Sequence, residues 1–156
     1  MRVKLLLPLL MLGCETSPSP RAAFDTRVYA AALDTLVRPG ETIVLLDSTR
    51  APYAKSRGRP LPKIVLPGRT LILAPWDALT TPNLSHDDYW QRFHSRFPGA
   101  VAWCSMSKIS YTLLGQRASL YADCGCGLLC GASQVITLVN EAGVWRVVKV
   151  HTISVS

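Results

Sequence analysis

The stretch Arg117-Ala-Ser-Leu-Tyr-Ala-Asp123 decides the fold class. Ala118, Leu120 and Ala122 fall on one side and Arg117, Ser119, Tyr121 and Asp123 on the other, the two-residue period of a strand with one buried face. Toward the C-terminus, Gln134 to Val139 reads as a further strand and Asn140-Glu-Ala-Gly143 as a turn. Val144 to Val155 follows as a long final strand, with Trp145, Val147, Ile153 and Val155 expected to share a face. Toward the N-terminus, Lys108 to Leu114 reads as another strand, and β character begins at Ala100. Strands joined so directly imply an antiparallel meander.

The first half of the chain carries helices. From Ala22 to Val37, Phe24, Val28, Ala31 or Ala32, and Leu36 recur at helical spacing, flanked by Tyr29 and Leu33, and Pro39-Gly40 stops the run. Thr42–Leu46 and Thr70–Ala74 are short β-branched and apolar strands. Ser85 is placed to cap a helix from His86 to Phe97, with Asp87 and Asp88 in the first turn where the helix dipole favours acids. Tyr89, Phe93 and Phe97 fall on one face of it, with Trp90 alongside, and Pro98-Gly99 closes it. The expectation is an α+β fold: two helices packed on a curved antiparallel sheet of at least four strands. A cystatin-like or NTF2-like layout suits that arrangement, an analogy of fold that implies no chemistry.

Between the first two strands, residues 50–68 form a long loop with four prolines; Arg50, Lys55, Arg57, Arg59 and Lys63 lie in it without an acid. The plain reading is a solvated, mobile loop. The functional reading is contact with an anionic surface, such as lipid headgroups, through Arg57, Arg59 and Lys63. Tyr53 is the sole aromatic residue there, which argues against a single-stranded nucleic-acid platform. The 156 residues suggest one domain, and 49% apolar content excludes a disordered chain. No apolar run reaches the length of a membrane-spanning helix.

The first residues read as an address. Arg2 and Lys4 precede an apolar stretch from Leu5 to Leu12, the length of a signal-peptide core. Met11-Leu12-Gly13-Cys14 resembles a bacterial lipobox, in which cleavage before the cysteine leaves a lipidated N-terminus. The expected organisation is therefore a lipoprotein signal peptide over 1–13, a lipidated Cys14 with a flexible tether over 14–21, and a single α+β domain over 22–156. Several acyl chains on Cys14 would anchor the protein stably where one would not. Glu15 rather than Asp after the cysteine resembles the enterobacterial pattern for the outer membrane rather than the inner. Loss of Arg2 and Lys4 lowers the formal net charge from +7 to about +5, too small a surplus to imply nucleic acid.

Several ordered motifs cover residues 85–156: Trp90-Gln-Arg-Phe93, Phe97-Pro-Gly99, Ser107-Lys-Ile109, Gln116-Arg-Ala-Ser-Leu-Tyr121, Cys126-Gly-Leu-Leu-Cys130-Gly131 and Gly143-Val-Trp-Arg-Val-Val148. The set resembles a family of uncharacterised bacterial secreted and lipoprotein domains with W-x-x-F, Y/F-P-G, C-G-x-L-C-G and G-x-W-x-V in that order. No activity comes with the resemblance. With Cys14 lipidated, Cys104, Cys124, Cys126 and Cys130 remain, an even number in an exported chain, which suggests two disulfides. Three connectivities are open. The one expected is Cys126–Cys130 across the loop, which the resemblance supports as a unit, with Cys104–Cys124 between neighbouring strands, on which it is silent.

Two sharper readings compete at the Cys124–Cys130 loop. Thiolates could bind zinc, yet C-x-C-x3-C is not a paired knuckle. A redox dithiol usually has C-x-x-C at a helix N-terminus, and no helix is expected here. His86 and His94 are two helical turns apart, too far to clasp one metal. His151 shares a strand face with Lys149 and has no nameable partner. There is no G-x-S-x-G nucleophile turn, phosphate loop or dinucleotide fingerprint. Trp76, Trp90, Trp103 and Trp145 read as core before they read as a pocket lining. The sequence thus implies a lipid-anchored envelope domain with no assigned catalytic residue, metal or cofactor. Its expected partners are the membrane and an unidentified protein or small-molecule ligand, not nucleic acid.

Overall fold

The computed structural model describes residues 20–50, 58–80, 84–127 and 129–155. Cys14, the tether up to residue 19 and Arg57 lie outside them. The elements in order are α1 (Pro20–Leu36), β1 (Thr42–Leu46), β2 (Thr70–Ala74), a 3-10 turn at Trp76–Ala78, α2 (His86–Arg96), β3 (Ala100–Met106), β4 (Ser110–Thr112), a 3-10 turn at Leu113–Gly115, β5 (Arg117–Gly127), β6 (Cys130–Glu141) and β7 (Val144–Val155). One sheet holds all seven strands in the order β2-β1-β3-β5-β6-β7, with β4 beside β5. The class is α+β, with two helices on a mostly antiparallel sheet.

The sheet is not antiparallel throughout, which corrects the simpler meander. β1 pairs in parallel with both β2 and β3, whereas β3, β5, β6 and β7 pair antiparallel in turn. The cause can be read in Thr42-Ile-Val-Leu-Leu46, an unbroken apolar run rather than an alternating one. Such a run belongs to a strand covered on both faces, and parallel strands need crossovers that supply the cover. Ile43 and Leu45 enter one core and Val44 and Leu46 the other. The two helices accordingly lie on opposite faces.

On the α1 face, Val28, Ala32 and Leu33 are fully buried, and Tyr29 and Val37 nearly so. Tyr29 and Leu33 are therefore central to the stripe, not flanking it. The Tyr29 hydroxyl donates to the Ser107 carbonyl at 3.0 Å, which satisfies the polar tip of a buried ring. Leu61, Ile64 and Leu66 are also buried in this core. The described part of the long loop is thus anchored by these three residues, while those around them, among them Arg59, Lys63 and Val65, face solvent. Arg69 ties the same segment to the end of α1. Its guanidinium donates to the carbonyls of Val37 at 2.7 Å and Asp34 at 3.4 Å and pairs with the Asp34 carboxylate at 2.8 Å. A cation there satisfies orphan carbonyls and complements the dipole.

On the other face, Trp90, Phe93 and Phe97 pack on Val44, Leu46, Ala74 and Ala100. Ser85 caps α2 by accepting the Asp88 amide at 3.2 Å. This helix covers only the parallel end of the sheet, so β5, β6 and β7 keep an open face. Two register shifts between β6 and β7 shape that part. The first slips Val148 out of pairing and reverses which side each later residue faces; the second, at Ile153, restores it. Trp145, Val147 and Val155 therefore share the α1 face, and Ile153 sits unpaired at the second shift.

Candidate functional site

The cysteines and a cleft meet at one end of the sheet. β3 and β5 pair with Cys104 opposite Cys124 and Trp103 opposite Gly125. β5 and β6 pair with Asp123 opposite Ser133 and Gly125 opposite Gly131. Directly opposed residues share a face, so alternate rows project to alternate sides. One row, Cys104, Cys124, Ala132 and Val155, points to the α1 side. Its neighbours, Ser105, Asp123, Ser133 and Ser154 on one flank and Trp103, Gly125 and Gly131 on the other, point to the α2 side.

The structure joins Cys104 to Cys124 and Cys126 to Cys130. The first bridge crosses two strands at a directly opposed pair with Cα atoms 4.1 Å apart, and its Cys104 end is buried. The second closes the tip of the β5–β6 hairpin, with Cα atoms 5.0 Å apart and both residues exposed. Together they clamp this end of the sheet.

On the α2 side this end carries a cleft of about 270 Å³ between the first turns of α2 and the sheet. Its walls include His86, Tyr89, Trp90 and Trp103, and its floor includes Asp123 and Ser133. The floor is low because Gly125 lacks a side chain. A Cβ there would sit 2.8 Å from the Trp103 indole, so the ring lies directly on the strand. The Ser133 hydroxyl donates to the Asp123 carboxylate at 2.8 Å. Among the described residues Asp123 has no ion pair. Burial pushes the Tyr89 hydroxyl above the usual tyrosine value. Trp90 is nine-tenths buried, and its indole N–H has no acceptor. Such a donor is costly to leave unmatched.

On the α1 side of the same end lies an open groove of about 590 Å³, lined by Leu36, Val37, Ile43, Ala102, Leu129 and Val155 among others. Leu129 and Val155 are largely exposed. Of the anionic-surface candidates, the described Arg59 and Lys63 line neither site. Arg59 and Lys63 are exposed on the segment before β2, where the Arg59 carbonyl accepts from the Thr49 amide at 2.7 Å and the Arg59 amide donates to the Thr49 hydroxyl oxygen at 3.0 Å.

Sequence reasoning singled out the cysteines but not Asp123, Ser133, Ser154 or Tyr89. Asp123 was visible only as the last polar residue of an alternating strand. Its company depends on register, which no single stretch of sequence specifies. The tryptophans divide: Trp145 packs in the α1-face core against Phe24, whereas Trp90 and Trp103 serve both the other core and the cleft wall.

The arrangement is a binding geometry on an α+β scaffold: a concave site with aromatic walls and few, placed polar groups. The chain matches no protein-family model, no curated protein and no solved structure.

Proposed function

We propose that this chain is a lipid-anchored cell-envelope protein whose domain binds a small ligand or a partner without transforming it. The observation that carries the reading is the polar, aromatic-walled cleft built on a disulfide-clamped sheet end. A clamp of this kind holds a site open without a metal or a large core beneath it. The lipobox-like Met11-Leu12-Gly13-Cys14 supports the anchor, with the outer membrane favoured by Glu15. Membership of the uncharacterised secreted and lipoprotein family is part of the same proposal, on the ordered motifs alone. So is a cystatin-like or NTF2-like layout for α1 with the antiparallel strands, to which α2 and the parallel β1–β2 pair would be additions. Expression of the Cys14→Ala variant tests the anchor: the protein should leave the membrane fraction and lose metabolic labelling by palmitate. Equal membrane association of the variant would overturn it.

A second reading is an envelope thiol-redox factor, favoured by the exposure of Cys126 and Cys130 at the hairpin tip. It requires turnover of a dithiol or disulfide substrate that is abolished by Cys126→Ser and Cys130→Ser. Inactivity of the wild type toward such substrates would remove it.

A further inference from the structure

We propose that the cleft on the α2 face takes an organic ammonium group, held by the Asp123 carboxylate among the rings of Tyr89, Trp90 and Trp103. The inference rests on the binding role above and names the ligand class.

Charge is the first argument. The chain carries a formal net charge of +7, yet among the described residues no lysine or arginine lines this cleft. Its titratable groups are Asp123, His86 and Tyr89. Asp34 meets Arg69 and Glu141 meets Arg146, on other parts of the surface. Asp123 has a hydroxyl from Ser133 and no cation among the described residues. An anionic ligand would face this carboxylate, and a purely apolar one would bury it unpaired, which is costly. An ammonium supplies the missing charge.

The walls give the second argument. Aromatic rings attract cations through their negative faces, and the attraction grows as water is excluded. Three aromatic residues around one carboxylate suit a methylated or primary ammonium better than a hydroxylated neutral ligand, which would need more donors and acceptors. Size gives the third. About 270 Å³ is room for a short amine. Ser133 and Ser154 on one side of the cleft favour an amine that also bears a hydroxyl or carbonyl oxygen.

The test uses the full chain in a non-ionic detergent, with tryptophan emission and calorimetry as readouts. The probes are choline, its uncharged isostere carrying a tert-butyl group in place of the trimethylammonium, and glucose. Choline should bind roughly tenfold or more tighter than the isostere, and more weakly as salt rises. Asp123→Asn should abolish that preference with both disulfides intact, and Tyr89→Leu should weaken choline binding several-fold. Asp87→Asn, outside the cleft, should leave it unchanged. If the isostere or glucose binds as well as choline, or the preference survives Asp123→Asn, the ammonium assignment is wrong while the binding role stands. No response to any of the three probes overturns both.

Discussion

Replacing Cys104 and Cys124 together by alanine should destabilise the domain more than the same change at Cys126 and Cys130. The two bridges close loops of different length, spanning 20 and 4 sequence positions. The chain-entropy relation assigns about 3 kcal/mol to the longer loop and about 2 kcal/mol to the shorter. Cys104 is also 3% exposed and packs with Met106 and Leu120 in the α1-face core, whereas Cys126 is exposed. Losing its sulfur leaves a small void worth about 1 kcal/mol more. The predicted losses are therefore about 4 and about 2 kcal/mol, out of a total stability on the order of 5–15 kcal/mol. Urea titration followed by far-ultraviolet circular dichroism measures both. At a slope of roughly 2 kcal/mol per molar, the midpoints should fall by about 2 M and 1 M. In reductant the wild type and both variants should converge to within the small difference left by the voids. A larger loss at Cys126 and Cys130, or a loss below about 1 kcal/mol at Cys104 and Cys124, would refute the idea that the cross-strand bridge is the main clamp.

Three further outcomes are expected. Arg69→Ala should cost about 2 kcal/mol, because a nearly buried cation leaves the α1 carbonyls unmatched; Asp34→Ala should cost under about 1 kcal/mol, since its carboxylate is mostly exposed, and paired melts would show the asymmetry. Gly125→Ala should lift the Trp103 ring, cost about 1–3 kcal/mol and shift tryptophan emission to the red; unchanged emission and melting would mean that the ring does not rest on the strand. Burial first, then the charge of Asp25, holds the Tyr29 hydroxyl well above the usual tyrosine value; at Tyr111, burial and then the 2.6 Å hydrogen bond to Asp25 act in the same direction. A folded-state value above the unfolded one means that the stability these groups contribute is complete below about pH 10 and falls as pH rises beyond it. Phenolate absorbance should show Tyr29 and Tyr111 ionising late, close to alkaline unfolding, and early uniform titration of all five tyrosines would contradict this.

The parts of the fold that were legible in the sequence are those fixed by local periodicity and stop signals. β1, β2 and β7 have the boundaries that their apolar runs and flanking turns indicate. Ser85 begins α2 and Pro98-Gly99 follows its end. What escaped depends on distant partners. Ala100-Val-Ala-Trp-Cys-Ser-Met106 has little alternation because a register shift falls beside Val101 and both faces are covered, so β3 was seen only as general β character. The strand expected over Lys108–Leu114 shrinks to Ser110–Thr112, since Leu114 turns to positive φ and starts the reversal into β5. β5 and β6 run into the cysteine cluster beyond Asp123 and before Gln134, because cross-strand pairing sustains glycine-rich backbone that has no strand propensity of its own. The packed Leu61, Ile64 and Leu66 were hidden by the prolines and charges between them.

The candidate site was half legible for the same reason. Cysteine count and export pointed to bridges at this end of the chain. The cleft opposite them exists because a polar row and a glycine row from four strands fall side by side, and Trp103 lies on the gap. Neither row is contiguous in sequence.

The most direct test of the account is the disulfide map of the chain exported to an oxidising compartment. Trypsin without reduction should release residues 97–108 joined to 118–146. That species should lie four hydrogens below the mass of its reduced peptides and contain no free thiol. Fragmentation should place one bond between Cys104 and Cys124 and the other between Cys126 and Cys130. Free thiols at these positions, or Cys104 bonded to Cys126 or Cys130, would contradict a clamped sheet end and the cleft that depends on it.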